Sequence, residues 1–285
     1  MQTTHSSMNG KICMVTGATS GIGLVTAREL ARQGAQVTLV SRSPERCQAA
    51  AESIRQETGN PEVDFIAADL SSLVEIRRTA QEFLKRQRRL DVLVNNAGGF
   101  FWRRAETADG LERTFALNHL NYFLLTNLLL ETLKASAPAR IVSVSSDAHR
   151  GARIDFDNLQ NKHKYAGFRA YAQSKLMNVL FTYELRRRLE NSGVTANALH
   201  PGFVATGFAK NNGFLFRLFM PLAQLNALSP EEGARTSIYL ASSPEVEGVS
   251  GKYFTKQQAV QSDPASYDEQ TARQLWELSL ELTNL

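Results

Sequence analysis

The chain has 285 residues, of which 43% are hydrophobic and 21% charged, and its formal net charge is +4. This composition is typical of a soluble globular protein and excludes collagen-like, low-complexity and disordered chains. The two cysteines exclude a disulfide framework and predict a reducing compartment, so we expect a cytoplasmic protein. The largest cluster of arginines, residues 77–89, contains no familiar nucleic-acid motif, and it indicates a solvated helix face and no nucleic-acid partner.

The polar first residues, "MQTTHSSMNG", show no secretory signal, and no apolar run is long enough for a transmembrane helix. The most apolar stretch, residues 213–225, is interrupted by Arg217 and Pro221. Neither cysteine lies in a metal-ligand spacing, so no metal site is predicted. These patterns leave only peripheral contact with a membrane open.

In chain order, strand and helix patterns alternate. The strand "KICMVTG" leads into the helix "GIGLVTARELARQG", and the strand "AQVTLVSR" leads into a helix that Ser43 caps and Pro44 begins. The strand "EVDFIAADL", the helix "SSLVEIRRTAQEFLKRQRR" and the strand "LDVLVNNAG" follow. This alternation is typical of a parallel sheet with helices on both faces.

The pattern continues through the second half. The long, largely apolar helical region "GLERTFALNHLNYFLLTNLLLETLKAS" precedes the strand "ARIVSVSS", and the helix "AYAQSKLMNVLFTYELRRRLENSG" precedes the strand "VTANALHPG". Ser229 and Glu232 form a capping box at the next helix, "GKYFT" is a short edge strand, and an amphipathic helix ends the chain. The sequence therefore predicts one α/β domain over residues 1–285. We expect a doubly wound Rossmann fold with a seven-stranded, mainly parallel sheet.

The turn after the first strand, "TGATSGIG", carries three glycines, Gly17, Gly21 and Gly23. They allow a tight turn and a close approach of the backbone to a pyrophosphate at a helix N-terminus. Thr19 and Ser20 add hydroxyl donors. A glycine-rich turn alone is often only a turn, but this one lies between a strand and a helix, which favours dinucleotide binding.

The residue at the end of the second strand distinguishes the two nicotinamide dinucleotides. An NAD site places a carboxylate there for the ribose 2′-OH, whereas this chain has Arg42 in "LVSRSP". A guanidinium suits a 2′-phosphate, although a solvated arginine is the structural alternative. The sequence therefore favours NADP(H) over NAD(H), with Asp69 near the adenine.

Several motifs occur together in a fixed order: "TGATSGIG", "NNAG" (95–98), Asn118 in "ALNHLNYF", "VSVSS", "YAQSK" and "HPGFVAT" (200–206). With these motifs the chain resembles the short-chain dehydrogenase/reductase family over almost its whole length. It looks most similar to the retinol dehydrogenase branch and its light-dependent protochlorophyllide reductase relatives.

The resemblance implies a catalytic tetrad of Asn118, Ser146, Tyr171 and Lys175, with Ser145 as the alternative serine. Tyr171 would exchange a proton with the substrate oxygen, Ser146 would hold that oxygen, and Asn118 would steady a water that links Lys175 to solvent. Tyrosine and lysine four residues apart lie on one face of a helix. A lysine ammonium at that distance is expected to lower the tyrosine pKa from about 10.

The motifs and the resemblance together assign cofactor contacts along the chain. The assigned residues are Gly17, Thr19, Ser20, Gly21, Ile22, Gly23, Arg42, Asp69, Leu70, Asn96, Ala97, Gly98, Tyr171, Lys175, Pro201, Gly202, Val204 and Thr206. By family likeness, the Val204 N–H and Thr206 would meet the nicotinamide carboxamide. The histidines His119, His149 and His200 are predicted to be structural, with a proton shuttle as the alternative for His200.

Residues 207–228 hold many apolar side chains, including Phe214, Phe216 and Phe219, and we expect them to form a substrate lid. Burial in the core and contact with a membrane surface are the alternatives. Phe100 to Trp102 are predicted on the same side of the sheet. Both segments favour a bulky apolar carbonyl or alcohol as substrate, such as a retinal-like, sterol-like or fatty aldehyde or ketone.

Two other functions stay open at this point. One is a light-dependent reductase of a tetrapyrrole double bond, which shares the tetrad, and the other is a non-catalytic NADP(H)-binding sensor. The resemblance also implies a homodimer formed through the helices around 118–134 and 171–190.

Overall fold

One sheet of eight strands organises the chain, and the computed structural model describes residues 8–204 and 227–285. The strand order across the sheet is β3-β2-β1-β4-β5-β6-β7-β8. The strands are β1 (Ile12–Thr16), β2 (Gln36–Ser41), β3 (Val63–Ala67), β4 (Val92–Asn95), β5 (Ala139–Val144), β6 (Val194–His200), β7 (Tyr253–Thr255) and β8 (Gln258–Val260).

The described helices cover both faces of this sheet. They are α1 (Gly21–Arg32), α2 (Pro44–Thr58), α3 (Leu73–Arg86), α4 (Asn121–Ala135), α5 (Gly167–Arg188), α6 (Pro230–Ser242) and α7 (Glu269–Thr283). Side-chain caps explain where two of these helices begin. The Ser43 hydroxyl accepts from the Arg46 N–H at the start of α2, and Ser229 and Glu232 form a reciprocal capping box at α6. Both predicted caps are confirmed.

The point where the chain changes direction across the sheet locates the ligand crevice. Strand β1 pairs in parallel with β2 on one side and with β4 on the other. In open α/β sheets, ligands bind beyond the carboxyl ends of the strands at such a switch point. The turn that follows β1 and the turn that follows β4 meet there. The predicted doubly wound fold is confirmed.

The sheet has one strand more than the seven predicted. Strand β7 pairs with β6 in parallel, and β8 then adds to the edge as an antiparallel partner of β7. The two residues that join them, Lys256 and Gln257, have φ values of 48° and 64°. A two-residue hairpin turn of this kind usually contains Asn or Gly, so "KQ" gave no signal for it.

Two apolar cores lie on opposite faces of the sheet because neighbouring strand residues point to opposite sides. On β1, Met14 belongs to the core under α3, α4 and α5, whereas Cys13 and Val15 belong to the core under α1 and α2. Both cysteines are buried and free, so neither forms a disulfide. Described helices therefore cover both faces of the sheet, and a ligand is expected beyond the carboxyl ends of the strands.

Helix α7 lies against α4 and α5. Its Trp276 ring centroid is 4.9 Å from that of Phe123 and 5.8 Å from that of Phe181. The Arg188 guanidinium lies over the same indole at 4.4 Å. A homodimer through the helices around 118–134 and 171–190 stays a prediction, and such an interface would have to include α7 or displace it. None of the helices in residues 8–204 and 227–285 is long and apolar enough to cross a bilayer.

Candidate active site

The glycine turn between β1 and α1 has the backbone shape that close contact with a ligand requires. Gly17 and Gly21 have φ values of +66° and +56°, in the region that disfavours side chains. A Cβ at Gly23 would lie 2.4 Å from the Gly17 oxygen, so only glycine fits there. Ser20 precedes α1 without a side-chain cap, which leaves the first N–H groups of the helix available to an anion.

At the end of β2, two arginines lie beside this turn. Arg42 is exposed and has no ion pair with any residue the structure describes. Arg46, in the first turn of α2, has its guanidinium 3.5 Å from the Thr19 carbonyl oxygen. The Thr19 hydroxyl itself lies 3.0 Å from that of Ser41. Sequence reasoning missed Arg46, although a second basic residue four positions after Arg42 was a visible signal.

The turn after β4 is joined to the nucleotide turn by hydrogen bonds. The Asn96 side chain donates to the Thr16 carbonyl at 2.8 Å, and the Thr16 hydroxyl accepts from the Asn96 and Ala97 N–H groups at 2.9 and 3.0 Å. Asp69, at the end of β3, accepts from the Ser71 N–H and hydroxyl. The loops that follow β1 and β4 are therefore joined to each other, and the loop that follows β3 is held by its own local contacts, all at the carboxyl ends of the strands.

Asn118 lies in a π-helical turn, Ala116–Leu120, immediately before α4. π-turns within helices are frequent at functional sites. The Asn118 side chain is fully buried, exchanges two hydrogen bonds with the Gly99 backbone at 2.8 and 3.0 Å, and donates to the Ser174 hydroxyl at 3.0 Å. It therefore couples the loop after β4 to the helix that carries Tyr171.

The geometry distinguishes the two neighbouring serines at the end of β5. The Ser145 hydroxyl is buried and donates to the Lys175 carbonyl at 2.7 Å, so it is already engaged inside the fold. The Ser146 hydroxyl lies beside the Tyr171 side chain, where its hydrogen bonding lowers the pKa of the tyrosine, and it accepts from the Ala148 N–H at 3.2 Å. The structure thus brings Ser146, and not Ser145, to the tyrosine.

Lys175 lies one helical turn beyond Tyr171 and is only 3% exposed. Its ammonium donates to the Val144 carbonyl at 3.0 Å and lies 5.7 Å from the centre of the Tyr171 ring. Burial lowers the pKa of Lys175 to about 7. A Cβ at Gly98 would lie 3.6 Å from the Lys175 nitrogen, so the loop after β4 closes over this group.

The expected lowering of the tyrosine pKa does not occur in the protein without a cofactor. Burial raises the pKa of Tyr171 to about 12, and the hydrogen bond from Ser146 opposes that rise. The reason is that Lys175 is itself desolvated and directs its hydrogen bond to Val144. At neutral pH the phenol is therefore protonated, which suits it to donate a proton.

The profile of the short chain dehydrogenase family matches residues 11–213. The chain belongs to the short-chain dehydrogenase family. Human retinol dehydrogenase 13 is 46% identical over a region covering 98% of this chain and 86% of that protein. Human retinol dehydrogenase 12 is 42% identical, with coverages of 99% and 89%.

Solved structures are also similar to this chain over most of its length. An uncharacterised protein from Mycobacterium paratuberculosis is 35% identical, with a TM-score of 0.81 and coverages of 99% of this chain and 96% of that one. A short chain dehydrogenase from Burkholderia cenocepacia, solved in complex with NADP, is 27% identical, with a TM-score of 0.68 and coverages of 91% and 98%. The chain is therefore an oxidoreductase of this family, whose fold binds a nicotinamide cofactor.

The residues present fit such a cofactor. The glycine cradle, the start of α1 and Arg42, which has no ion pair in the part of the chain that the structure describes, could hold a pyrophosphate and a further anion. Pro201 and Gly202 follow β6 at the same edge, and Gly202 has a φ of +90°. Val204 forms an isolated parallel bridge with Leu228. Thr206 and nearly all of the predicted lid, including Phe214, Phe216 and Phe219, lie outside the described residues.

Aromatic side chains surround Tyr171. Phe100 is buried and stands edge-on to the Tyr171 ring at 5.8 Å, and it also contacts Trp102 at 4.9 Å. Phe101 is buried, and the Arg113 guanidinium covers its ring at 3.8 Å. Trp102 and Phe168 are 48% and 62% exposed. Among the described residues, the surroundings of Tyr171 thus include apolar rings that are partly exposed.

Three histidines predicted to be structural lie in different environments. His119 is fully buried and bonds Ser279 on α7 at 3.0 Å, and burial lowers its pKa to about 3. The Nε2 of His200 lies 3.6 Å from the Asp147 carboxylate. His149 is buried directly beside Ser146, and sequence reasoning gave no hint of that contact. Within the described residues, no cluster of ligating side chains could hold a metal ion.

Proposed function

We propose that this protein is an NADP(H)-dependent oxidoreductase that acts on the carbonyl or alcohol of a bulky apolar substrate. The observation that carries the proposal is the position of the Ser146 hydroxyl beside the Tyr171 side chain, with the buried Lys175 one turn further along α5. This arrangement provides a protonated phenol and a second hydroxyl that can hold one substrate oxygen. The names of the retinol dehydrogenase relatives support an apolar alcohol or aldehyde.

The roles of the chain's own groups follow from their geometry. Ser146, whose oxygen already accepts from the Ala148 N–H, would orient the substrate carbonyl, and Tyr171 would give its proton to the carbonyl oxygen. Lys175, poorly solvated and with a pKa of about 7, would hold the cofactor ribose and favour the phenolate that remains. Asn118 would keep the loop at Gly98 and Gly99 against α5. A bound nicotinamide would supply or accept the hydride.

The preference for NADP(H) rests on charge at the end of β2. Arg42 and Arg46 bring two cations to the place where a 2′-phosphate would lie, and no carboxylate occupies the position after Ser41. The preference for a bulky apolar substrate rests on Phe100, Trp102 and Phe168 at the entrance.

The test is oxidation of NADPH, with NADH in parallel, over carbonyl compounds from short aldehydes to retinal-like, sterol-like and long fatty ones. The assay is run in the dark with wild type and Tyr171→Phe. We expect dark turnover of large apolar carbonyls with NADPH, and almost none with the variant. Turnover that requires light would indicate a double-bond reductase. Cofactor binding without turnover on any compound would indicate a sensor. Either result would overturn the proposal.

A further inference from the structure

His149 holds the backbone of Ser146 through its side chain. It lies in the 3-10 turn Asp147–His149, directly after β5, and it is 0% exposed. Its Nδ1 lies 2.7 Å from the Ser146 carbonyl oxygen, and its own backbone N–H reaches the same oxygen at 3.0 Å. One buried imidazole thus contacts Ser146, the residue whose hydroxyl lies beside Tyr171.

The two ring nitrogens have partners of opposite kinds, and this fixes the tautomer. The Nε2 atom lies 3.0 Å from the backbone N–H of Asp263, which can only donate, so Nε2 must be the acceptor. The Ser146 carbonyl can only accept, so Nδ1 must carry the proton. Only the neutral Nδ1–H form satisfies both contacts, and a second proton on the ring would leave the Asp263 N–H facing a donor.

The surroundings hold the ring in this form. Its centroid is 4.8 Å from that of the Tyr253 ring, and burial lowers the pKa of His149. The charged and titratable groups facing the ring come from its own turn and from three other segments: Asp147, Arg150, Asp263, Tyr253 and His200. Asp147 is engaged in turn by the Tyr253 hydroxyl at 3.1 Å and by His200 at 3.6 Å.

We propose that His149 is a positioning residue for the reaction, whose Nδ1–H fixes the Ser146 backbone so that the Ser146 hydroxyl points at Tyr171. The hydroxyl accepts from the Ala148 N–H, which directs its own proton toward the tyrosine oxygen. If the carbonyl is released, the serine can turn and this hydrogen bond is weakened. This inference rests on the proposed function, because the serine matters only where Tyr171 transfers a proton.

Two substitutions separate the contacts of the ring. In His149→Asn the amide nitrogen takes the place of Nδ1 and can still donate to Ser146, while the contact with Asp263 is lost. In His149→Gln the longer amide reaches the place of Nε2 and can still accept from Asp263, while the donor to Ser146 is lost. His149→Ala removes both contacts, and His163→Gln, at an exposed histidine, is the matched control.

The kinetic test measures kcat, the KM for NADPH and the pH dependence of alcohol oxidation. We expect kcat to fall about 10- to 100-fold in His149→Gln and His149→Ala, since a small misplacement of a reacting group has an effect of this size. His149→Asn should recover most of kcat, and His163→Gln should match wild type. The alkaline rise in rate should shift to higher pH in the Gln variant but not in the Asn variant, with KM for NADPH little changed. Equal losses in the Asn and Gln variants would overturn the proposal.

A second measurement needs no turnover and so distinguishes this proposal from the proposed function. Nitrogen-15 NMR of the imidazoles, with the His149 signals assigned by their loss in His149→Asn, reports the tautomer directly. We expect the neutral Nδ1–H form at pH 7. In protein labelled at the tyrosine Cζ carbon, the Tyr171 signal should shift in the Gln variant and stay in place in the Asn variant. An Nε2–H tautomer, or a Tyr171 signal unmoved by His149→Gln, would refute the positioning role even if wild type proves inactive on every carbonyl tested.

Discussion

Removing the two arginines at the end of β2 should weaken binding of NADPH while leaving NADH almost unaffected. Within the described residues Arg42 has no ion pair, so Arg42→Ala breaks none there. The guanidinium of Arg46 has one hydrogen bond to the described residues, to the Thr19 carbonyl at 3.5 Å, and its loss disturbs little there. Any change in affinity therefore reports on the cofactor.

The magnitude follows from the charge and the exposure of the site. At about 4 Å in a medium close to water, two opposite unit charges attract each other by about 1 kcal/mol. A 2′-phosphate carries about 1.5 to 2 negative charges. Each arginine should then contribute about 1.5 to 2 kcal/mol, which is about 10- to 30-fold in Kd. The double variant should lose about 100-fold or more, and the loss should shrink at high salt.

The assay is titration of NADPH and NADH by nucleotide fluorescence at low and high salt, with wild type, the two single variants and the double variant. Arg88→Ala, at an exposed arginine just before β4, removes the same charge far from this edge of the sheet and is the matched control. The reasoning would be refuted if NADH weakened as much as NADPH, or if the Arg88 variant weakened NADPH as much as the Arg42 variant.

Other substitutions test the remaining parts of the site and of the fold. Tyr171→Phe should keep NADPH binding and lose about 10²- to 10⁴-fold in kcat, because only the proton donor is gone; retention of a tenth of the activity would remove Tyr171 from this role. The pKa of Lys175 falls from 10.5 to about 7 on folding, so between these values the unfolded chain binds more protons and stability rises with pH. Denaturant unfolding of the cofactor-free protein should show a slope up to about 1.4 kcal/mol per pH unit that Lys175→Met lacks, and parallel curves would contradict this. Trp276→Ala should lower the free energy of unfolding by about 3 to 5 kcal/mol, whereas Trp102→Ala, at a half-exposed site, should have a much smaller effect in the same experiment. Replacing both Trp102 and Phe168 with serine should raise KM for long apolar carbonyls more than for short aldehydes; an equal rise would place these rings outside the substrate path.

The alternation of strands and helices was readable from the sequence because each element has its own apolar period and its own start and stop residues. The helix caps at Ser43 and Ser229 and the doubly wound sheet followed from these local signals. Strand β8 could not be predicted in this way, because Lys256 and Gln257 in its turn have positive φ values that are usually found at Asn or Gly. The cytoplasmic location and the single-domain boundaries stay predictions.

Several features of the site could not be predicted from local sequence patterns. The spacing of Tyr171 and Lys175 placed them on one helix face, but the direction of the tyrosine pKa depends on burial, which only the folded chain defines. The choice between Ser145 and Ser146 likewise depends on which hydroxyl is already engaged inside the fold. His149 and Asp263 are far apart in sequence, so no motif could have joined them.

The position of α7 in the chain affects how the protein is made. The ribosome synthesises Glu269–Thr283 after every other helix described, yet Trp276 supplies the ring that covers Phe123 and Phe181. A nascent chain can thus complete its sheet and form α4 and α5 while their outer apolar surface is still uncovered. Such surfaces bind chaperones and promote aggregation. Translation that stops before residue 269 should therefore yield a chain whose proposed catalytic residues are all synthesised but whose solubility depends on chaperones.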